Sequence, residues 1–435
     1  MSMDLTASPH AATELQRYAE ALLATLAAGG IVTAPPPGAS DSTDSWFLPA
    51  ASALAALLHG EDALPDLAKA AQSDESRTAL FLCLALAVAG HGDRIHASWL
   101  GMAFGTLAAD TPVTLGQRAL WIAAAKGAYG PAGKIFVLRK LDGVAVADQA
   151  TPEQWLQALI PDEPATVVPP SLADYPELAE IPDLAIPAQA SARLSRLMAR
   201  CVEITSTRRA TERTAQSPAT WAHDEPLAVI RALINGEDKE AAGTPLVGHL
   251  LDDLRPGADP TLTAIAVNVV TPVIRTVAEE QQRLSSLPPP STVTLPVLGL
   301  RVLLRPEGPD LDSLRAAEQQ VKTENIPRQG PPWLAYALLA LTAVAIVAGL
   351  VVTWPLALAA VLFLALGVHR LWMRRKHTIA ATEHANAQVA ELREQAQGAV
   401  WALHEYARES EQRATTAAEE LTELNRLLRR GPRAA

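Results

Sequence analysis

The sequence predicts an all-α protein: cytoplasmic helical domains, a two-helix transmembrane hairpin and a long C-terminal coiled-coil-like helix, with at most a small β-hairpin near 291–305. Three observations carry that expectation. Residues 333–368 contain no Asp, Glu, Lys or Arg. Apolar residues recur at three- and four-residue spacing through most of the remaining chain, which is the period of a helix with one buried face. A polar, alanine-rich, proline-free run then extends from Arg374 to Arg430.

Taken in order, residues 1–45 form an N-terminal helix and linker. Leu15, Tyr18, Leu22 and Leu26 share one helical face, Gly29-Gly30 ends it, and PPPGASDSTDS (35–45) has linker composition. Residues 46–160 form a helical interaction domain, with candidate helices at 47–58, 63–72, 75–89, 95–109 and 114–128. Breaks recur at Leu58-His59-Gly60, at Gly90-His91-Gly92 and at Gly127 to Gly130, spaced 32 and then 38 residues apart. This spacing resembles degenerate helix-turn-helix repeats of the tetratricopeptide kind, with a period of about 34. A solenoid-like stack and an ordinary helical bundle both fit, and either presents a surface for partners.

Residues 161–188, PDEPATVVPPSLADYPELAEIPDLAIPA, are dense in proline and acidic groups and are expected to be an extended linker. Residues 189–325 are expected to be a second helical domain, with Pro272 as a kink and Val293, Leu295, Val297, Leu300, Val302 and Leu304 as the small hairpin.

The transmembrane hairpin is expected over 333–372. A bilayer core about 30 Å thick needs roughly 20 apolar residues per helix. The run is too long for one span and just long enough for two short ones, and Trp354-Pro355 near its middle supplies the turn. Trp333, Tyr336, Trp354, Pro355 and Trp372 mark the interfaces, where aromatic rings with a polar edge prefer to sit. Arg328 precedes the run, and Arg370, Arg374, Arg375 and Lys376 follow it. The positive-inside rule then places both ends in the cytoplasm. The expected location is the cell's inner or plasma membrane, in a bacterial-type protein with two spans.

Residues 374–430 are expected to be one long helix with a heptad seam. One core position holds Val389, Ala396, Leu403, Ser410, Ala417 and Leu424. The other holds Ile379, Val400, Ala407, Ala414, Leu421 and Leu428. The small residues suit close packing, against another copy or against the chain's own helices.

Charge narrows the function. Residues 1–330 carry 25 basic and 38 acidic side chains, a net charge of −13, and residues 331–435 carry 11 and 9. A nucleic-acid binder needs a basic field to displace counterions, so no nucleic-acid partner is expected. The two cysteines, Cys83 and Cys201, lie in apolar helical patterns and read as buried small side chains. The first residues lack a basic-then-apolar signal pattern, so residues 1–330 are expected to stay cytoplasmic.

The search for chemistry yields little. GAYGPAGKIF (127–136) matches a phosphate-cradling loop only at Gly133-Lys134, with Ala128 and Ile135 where Gly and a hydroxyl are required. His91 and His96 are spaced five apart, which does not put both imidazoles on one helix face. No catalytic residue, cofactor or metal is expected. The leading expectation is a membrane-anchored scaffold or adaptor acting through helical protein–protein contacts. Its partners would be the lipid bilayer, other proteins and a second copy of the chain. One alternative is a membrane-perturbing effector controlled by its cytoplasmic helices. The second is an enzyme without a recognisable motif.

Overall fold

In a computed structural model of the chain, the described residues are 9–36, 45–109, 111–144, 146, 149–162, 167–213, 225–236, 243–297, 299–305, 307–325, 333, 336–337, 340–344 and 354–429. They are predominantly helical, with one three-stranded antiparallel sheet. The chain divides into two units. Unit 1 comprises 1–164, 193–282 and 418–435, and unit 2 comprises 165–192 and 283–417. These units do not follow the expected segments: 193–282 belongs with the first domain, and 165–192 belongs with the sheet.

Unit 1 starts with α1 (Pro9–Ala28), α2 (Phe47–His59) and α3 (Leu64–Val88). Their core is aromatic: Tyr18, Trp46, Phe47 and Phe81 stand 5.7–6.2 Å apart, mostly edge to face, which suits the ring quadrupoles. α3 is two helices joined at Asp74, whose backbone is extended (φ −158°, ψ 104°). The Asp74 carboxylate accepts the Arg77 N–H at 2.9 Å and caps the second half. The sequence pattern also separated these halves, as 63–72 and 75–89.

α4 (Ala97–Phe104), α5 (Leu115–Ala125), α6 (Gly130–Asp142) and α7 (Pro152–Leu159) follow. Both α5 and α7 begin with a capping box, Thr114 with Gln117 and Thr151 with Gln154. Gly133-Lys134, the phosphate-loop resemblance, lies within the first two turns of α6.

The solenoid alternative fails here. In a solenoid each repeat touches only its sequence neighbours. Instead α10 (Pro226–Asn235) packs on α1, α3 and α5. α11 (Leu246–Leu254) packs on α7, and α12 (Pro260–Val269) on α5 and α6. Distant segments interleave into a helical bundle. α13 (Thr271–Ser285) turns 73° from α12, with Pro272 in its first turn, so the expected kink is a break between two helices. By length and composition this bent pair passes for a membrane span, but Leu262, Ile265, Ala266, Val269, Ile274 and Ala278 are buried in the protein.

Unit 2 corrects the expected linker. Residues 170–172 form one 3-10 turn, Pro176–Ala179 form α8, and α9 begins at Pro182 and runs to Arg213. Each starts on a proline, where the missing N–H would have had no helical partner anyway. Two residues after each proline stands a leucine, and Leu172, Leu178 and Leu184 are fully buried. The proline density marks helix starts, and the carboxylates Glu177 and Asp183 lie in first turns, favourably placed for the helix dipole.

The leucines share a core with β1 (Val293–Val297), β2 (Leu300–Arg305), α14 (Leu311–Asn325) and the long helix Trp354–Arg429. β1 pairs with β2 from Val293↔Leu304 to Val297↔Leu300, and β2 pairs with the two-residue β3 (Gly308–Pro309). Val293, Leu295 and Val297 alternate inward, as the sequence pattern implied. The expected two-stranded hairpin is thus a three-stranded sheet.

Candidate functional site: the apolar helix segment and its folded support

The long helix is 76 residues of unbroken α-helix, about 110 Å at 1.5 Å per residue. Its described residues run from Trp354, with Pro355 in the first turn. The helix does not stop where the apolar stretch ends: it passes through Arg370–Lys376 without a break.

Apolar side chains stand exposed along its first part. Val361, Leu364, Leu366, Val368, Trp372 and Met373 are 40–65% exposed. Their angular positions occupy two sides of the helix, unlike the single stripe of a helix docked on a core. Trp333 and Tyr336 are 67% and 59% exposed. Arg370, Arg375 and Lys376 are exposed and Arg374 partly so. The Lys376 ammonium lies 4.0 Å from the centre of the Trp372 ring, a cation–π contact, and the centre of the His369 ring lies 6.2 Å from that of Trp372. Arg328 and most of the first expected span lie outside the described residues. No single helix among the described residues is long and apolar enough to cross a membrane by itself. The apolar part of the long helix before Arg370 rises only about 24 Å.

Beyond this segment the helix docks into unit 2. Val389, Ala396, Ser410 and Ala417 are buried at seven-residue multiples, and Leu403 is half-buried at the remaining position. In unit 1, Leu424 continues that track, fully buried. The second track is Ala385, Leu392, Ala399 and Tyr406. The expected second set lies one position later: Val400, Ala407, Ala414, Leu421 and Leu428 are only half-buried, and Ile379 is exposed. Alanine at 399, 402 and 407 beside Val400 and Leu403 makes both phases apolar, so periodicity alone left open which side of the first track the second one takes, a helix rotation of about 50°.

Polar contacts set that rotation. The Tyr406 hydroxyl donates to the Leu184 carbonyl at 2.9 Å, and burial raises its pKa. The Arg413 guanidinium stacks on the Tyr406 ring at 4.6 Å and stands 3.7 Å from the Glu409 carboxylate. Glu409 in turn accepts the Ser171 hydroxyl at 2.7 Å. Arg393 makes a two-pronged bond to Glu318 on α14, at 2.6 and 2.9 Å. Bonding to that guanidinium holds the Glu318 carboxyl below its usual range. At Gly398 a Cβ would collide with the Tyr175 hydroxyl, so the one glycine inside the docked helix is where the ring comes closest. Of these residues only the seam's spacing was readable from the chain; Tyr175, Glu318 and Ser171 carry no local signal of their distant partners.

Unit 1 holds a second buried polar group. Arg118 bonds Asp253 through two nitrogens at 2.6 and 2.8 Å, with side chains 10% and 6% exposed. The same guanidinium lies 4.5 Å from the Trp121 ring centre, and His249 meets that ring edge-on at 6.4 Å. Burial and the Arg118 charge lower the His249 pKa. Lys126 pairs with Asp259 about two helical turns further along, and Asp259 also caps α12 through the Thr261 N–H. Burial opposes ionisation of Asp259, but the bonds from Lys126 and Thr261 outweigh it and hold its pKa low. These pairs tie α5 to the 253–259 segment. A fully bonded pair facing a tryptophan is a structural clamp rather than a reactive centre.

His91 and His96 flank a short 3-10 turn, Gly92–Arg94, whose Arg94 side chain donates to the Leu57 carbonyl at 2.7 Å. Among the described residues no group of three or more His, Cys, Asp and Glu side chains is placed to hold a metal ion. Cys83 and Cys201 are buried thiols, both pushed up to about 12 by desolvation. No family model matches the chain, nor does any curated protein or solved structure.

Proposed function

We propose that the protein is a membrane-anchored scaffold or adaptor, held at the inner face of a cell membrane by a hairpin over 333–372 and presenting helical surfaces to protein partners. One observation carries the topology. The core of unit 2 joins residues before the apolar stretch, Val293 to Val321, with residues after it, Val389 to Tyr406. A single folded core lies on one side of a bilayer. A chain that leaves that core at α14 and returns through Trp372 therefore comes back on the side from which it left. This supports a same-side hairpin independently of the basic flanks. The short rise before Arg370 is accommodated by local thinning and by Arg370 reaching back to the interface.

The reading is tested by alkaline carbonate extraction of membranes and by reporter fusions at both termini. The chain should stay in the pellet, and both reporters should report cytoplasm. Release into the supernatant removes the anchor. A C-terminal reporter active only outside removes the hairpin.

A second reading, a membrane-perturbing effector, is favoured by the unbroken helix from Trp354 to Arg429. A rigid element without a joint transmits any movement of the folded domain to its apolar end. Loosening the dock with Leu172→Asp and Leu178→Asp should then depolarise cells expressing the full chain. An unchanged membrane potential counts against this reading.

A further inference from the structure

We propose that Arg370, Arg374, Arg375 and Lys376 bind the anionic headgroups of phospholipids, so that the hairpin selects a negatively charged membrane face. The proposal rests on the membrane reading above and adds the lipid class. Exposed apolar side chains run along the helix to Val368, 54% exposed, and the first cation stands two residues later. Three of the four cationic side chains are exposed. From Trp354 the first carboxylate is Glu383, seven residues beyond Lys376, so the sequence of this part of the helix carries positive charge and no negative charge.

Trp372, 51% exposed, stands two residues after Arg370 and two before Arg374, with the Lys376 ammonium on its ring. An amphipathic ring at that level belongs at the headgroup depth, and the long stems of Arg and Lys let their charges reach the phosphates. An acidic protein would also match the charge, but it would leave Val361 to Val368 uncovered. A bilayer covers both surfaces at once. The charge balance of the chain gives the cluster a purpose. Residues 1–330 carry −13, which an anionic surface repels, and four Lys or Arg beside a span are the arrangement that attracts such a surface.

The test uses the full chain, purified in detergent and diluted into vesicles. One set is phosphatidylcholine alone, and the other includes about 30% phosphatidylglycerol, an anionic lipid of the kind such clusters attract. Flotation reads the bound fraction. The chain should float with both and prefer the anionic set. The preference should fall about fivefold for each neutralised charge in the series ending at R370Q/R374Q/R375Q/K376Q, and fade at about 0.5 M salt. Circular dichroism confirms that the exposed substitutions leave the helices intact. Equal flotation with both vesicle sets overturns this proposal and leaves the membrane reading standing. Flotation with neither overturns both. An anionic preference that survives in the quadruple variant overturns the assignment to these residues.

Discussion

Replacing Gly398 by alanine sets two effects of known size against each other. Gly398 lies inside the long helix, where alanine is favoured over glycine by about 1 kcal/mol. The added methyl collides with the Tyr175 hydroxyl and stands 3.1 Å from the carbon that bears it. Overpacking of this kind costs about 1–3 kcal/mol. Tyr175 follows the turn at 170–172 and leads into α8, so its ring cannot move away without dragging buried Leu172 and Leu178. Gly398→Ala alone should therefore be neutral to destabilising by about 2 kcal/mol. In a Tyr175→Ala background the collision is gone, and the same substitution should stabilise by about 1 kcal/mol. The coupling between the two sites is then about 1–3 kcal/mol, roughly 5- to 150-fold in a local opening constant. Hydrogen exchange of peptides covering 389–406 reads that constant within unit 2. If Gly398→Ala slows exchange equally with and without Tyr175, the ring does not limit this position and the contact argument is wrong.

Three further outcomes follow from the packing. Removing one partner of the buried pair, by Arg118→Ala or Asp253→Ala, should cost about 3–5 kcal/mol. Arg118→Met with Asp253→Leu should recover most of it, as read by denaturant midpoints; a loss in the double equal to the sum of the two single losses would show that the charges are not coupled. His249 has a lowered folded pKa, so its stabilising contribution is complete above the unfolded histidine value near 6.5. It is lost as pH falls through the folded pKa. Unit 1 should lose stability on acidification below that value, and His249→Phe should flatten the profile; an unchanged slope would exclude His249 as the cause. Leu392→Ala should destabilise unit 2 by about 2–5 kcal/mol. Trp401→Ala, at a side chain 71% exposed, should stay within about 0.5 kcal/mol; thermal melts separate them.

The misread linker shows why composition can point the wrong way. Proline and acidic residues over 161–188 match the averages of unfolded chain, yet the spacing Pro170-x-Leu172, Pro176-x-Leu178, Pro182-x-Leu184 describes three helix starts, each with one buried anchor. The anchors are too sparse to show a periodicity within any one segment. Their meaning appears only when Val293, Leu304 and Ala396 arrive from more than a hundred residues away. The boundary between domains failed for a related reason. Arg118 and Asp253 are 135 positions apart, and neither has a local pattern that announces the other.

By itself the sequence determined the properties that repeat along the chain. These are the helices of residues 47–125, the alternation of β1, the continuous helix beyond Arg374 with one correct seam track, and the charge-free stretch between two basic flanks. Each is a periodicity or a run, written within a window of some 20 residues. Only the tertiary structure decided how these pieces combine. It placed 165–192 with the sheet and 193–282 with the first helices, and it moved the second seam track of the long helix by one residue so that Tyr406 reaches Leu184. It also built both flanks of Trp333–Val368 into one core. The reason is physical: a helix records in its sequence that it has a buried face, but the identity of what buries it is a property of the partner surface.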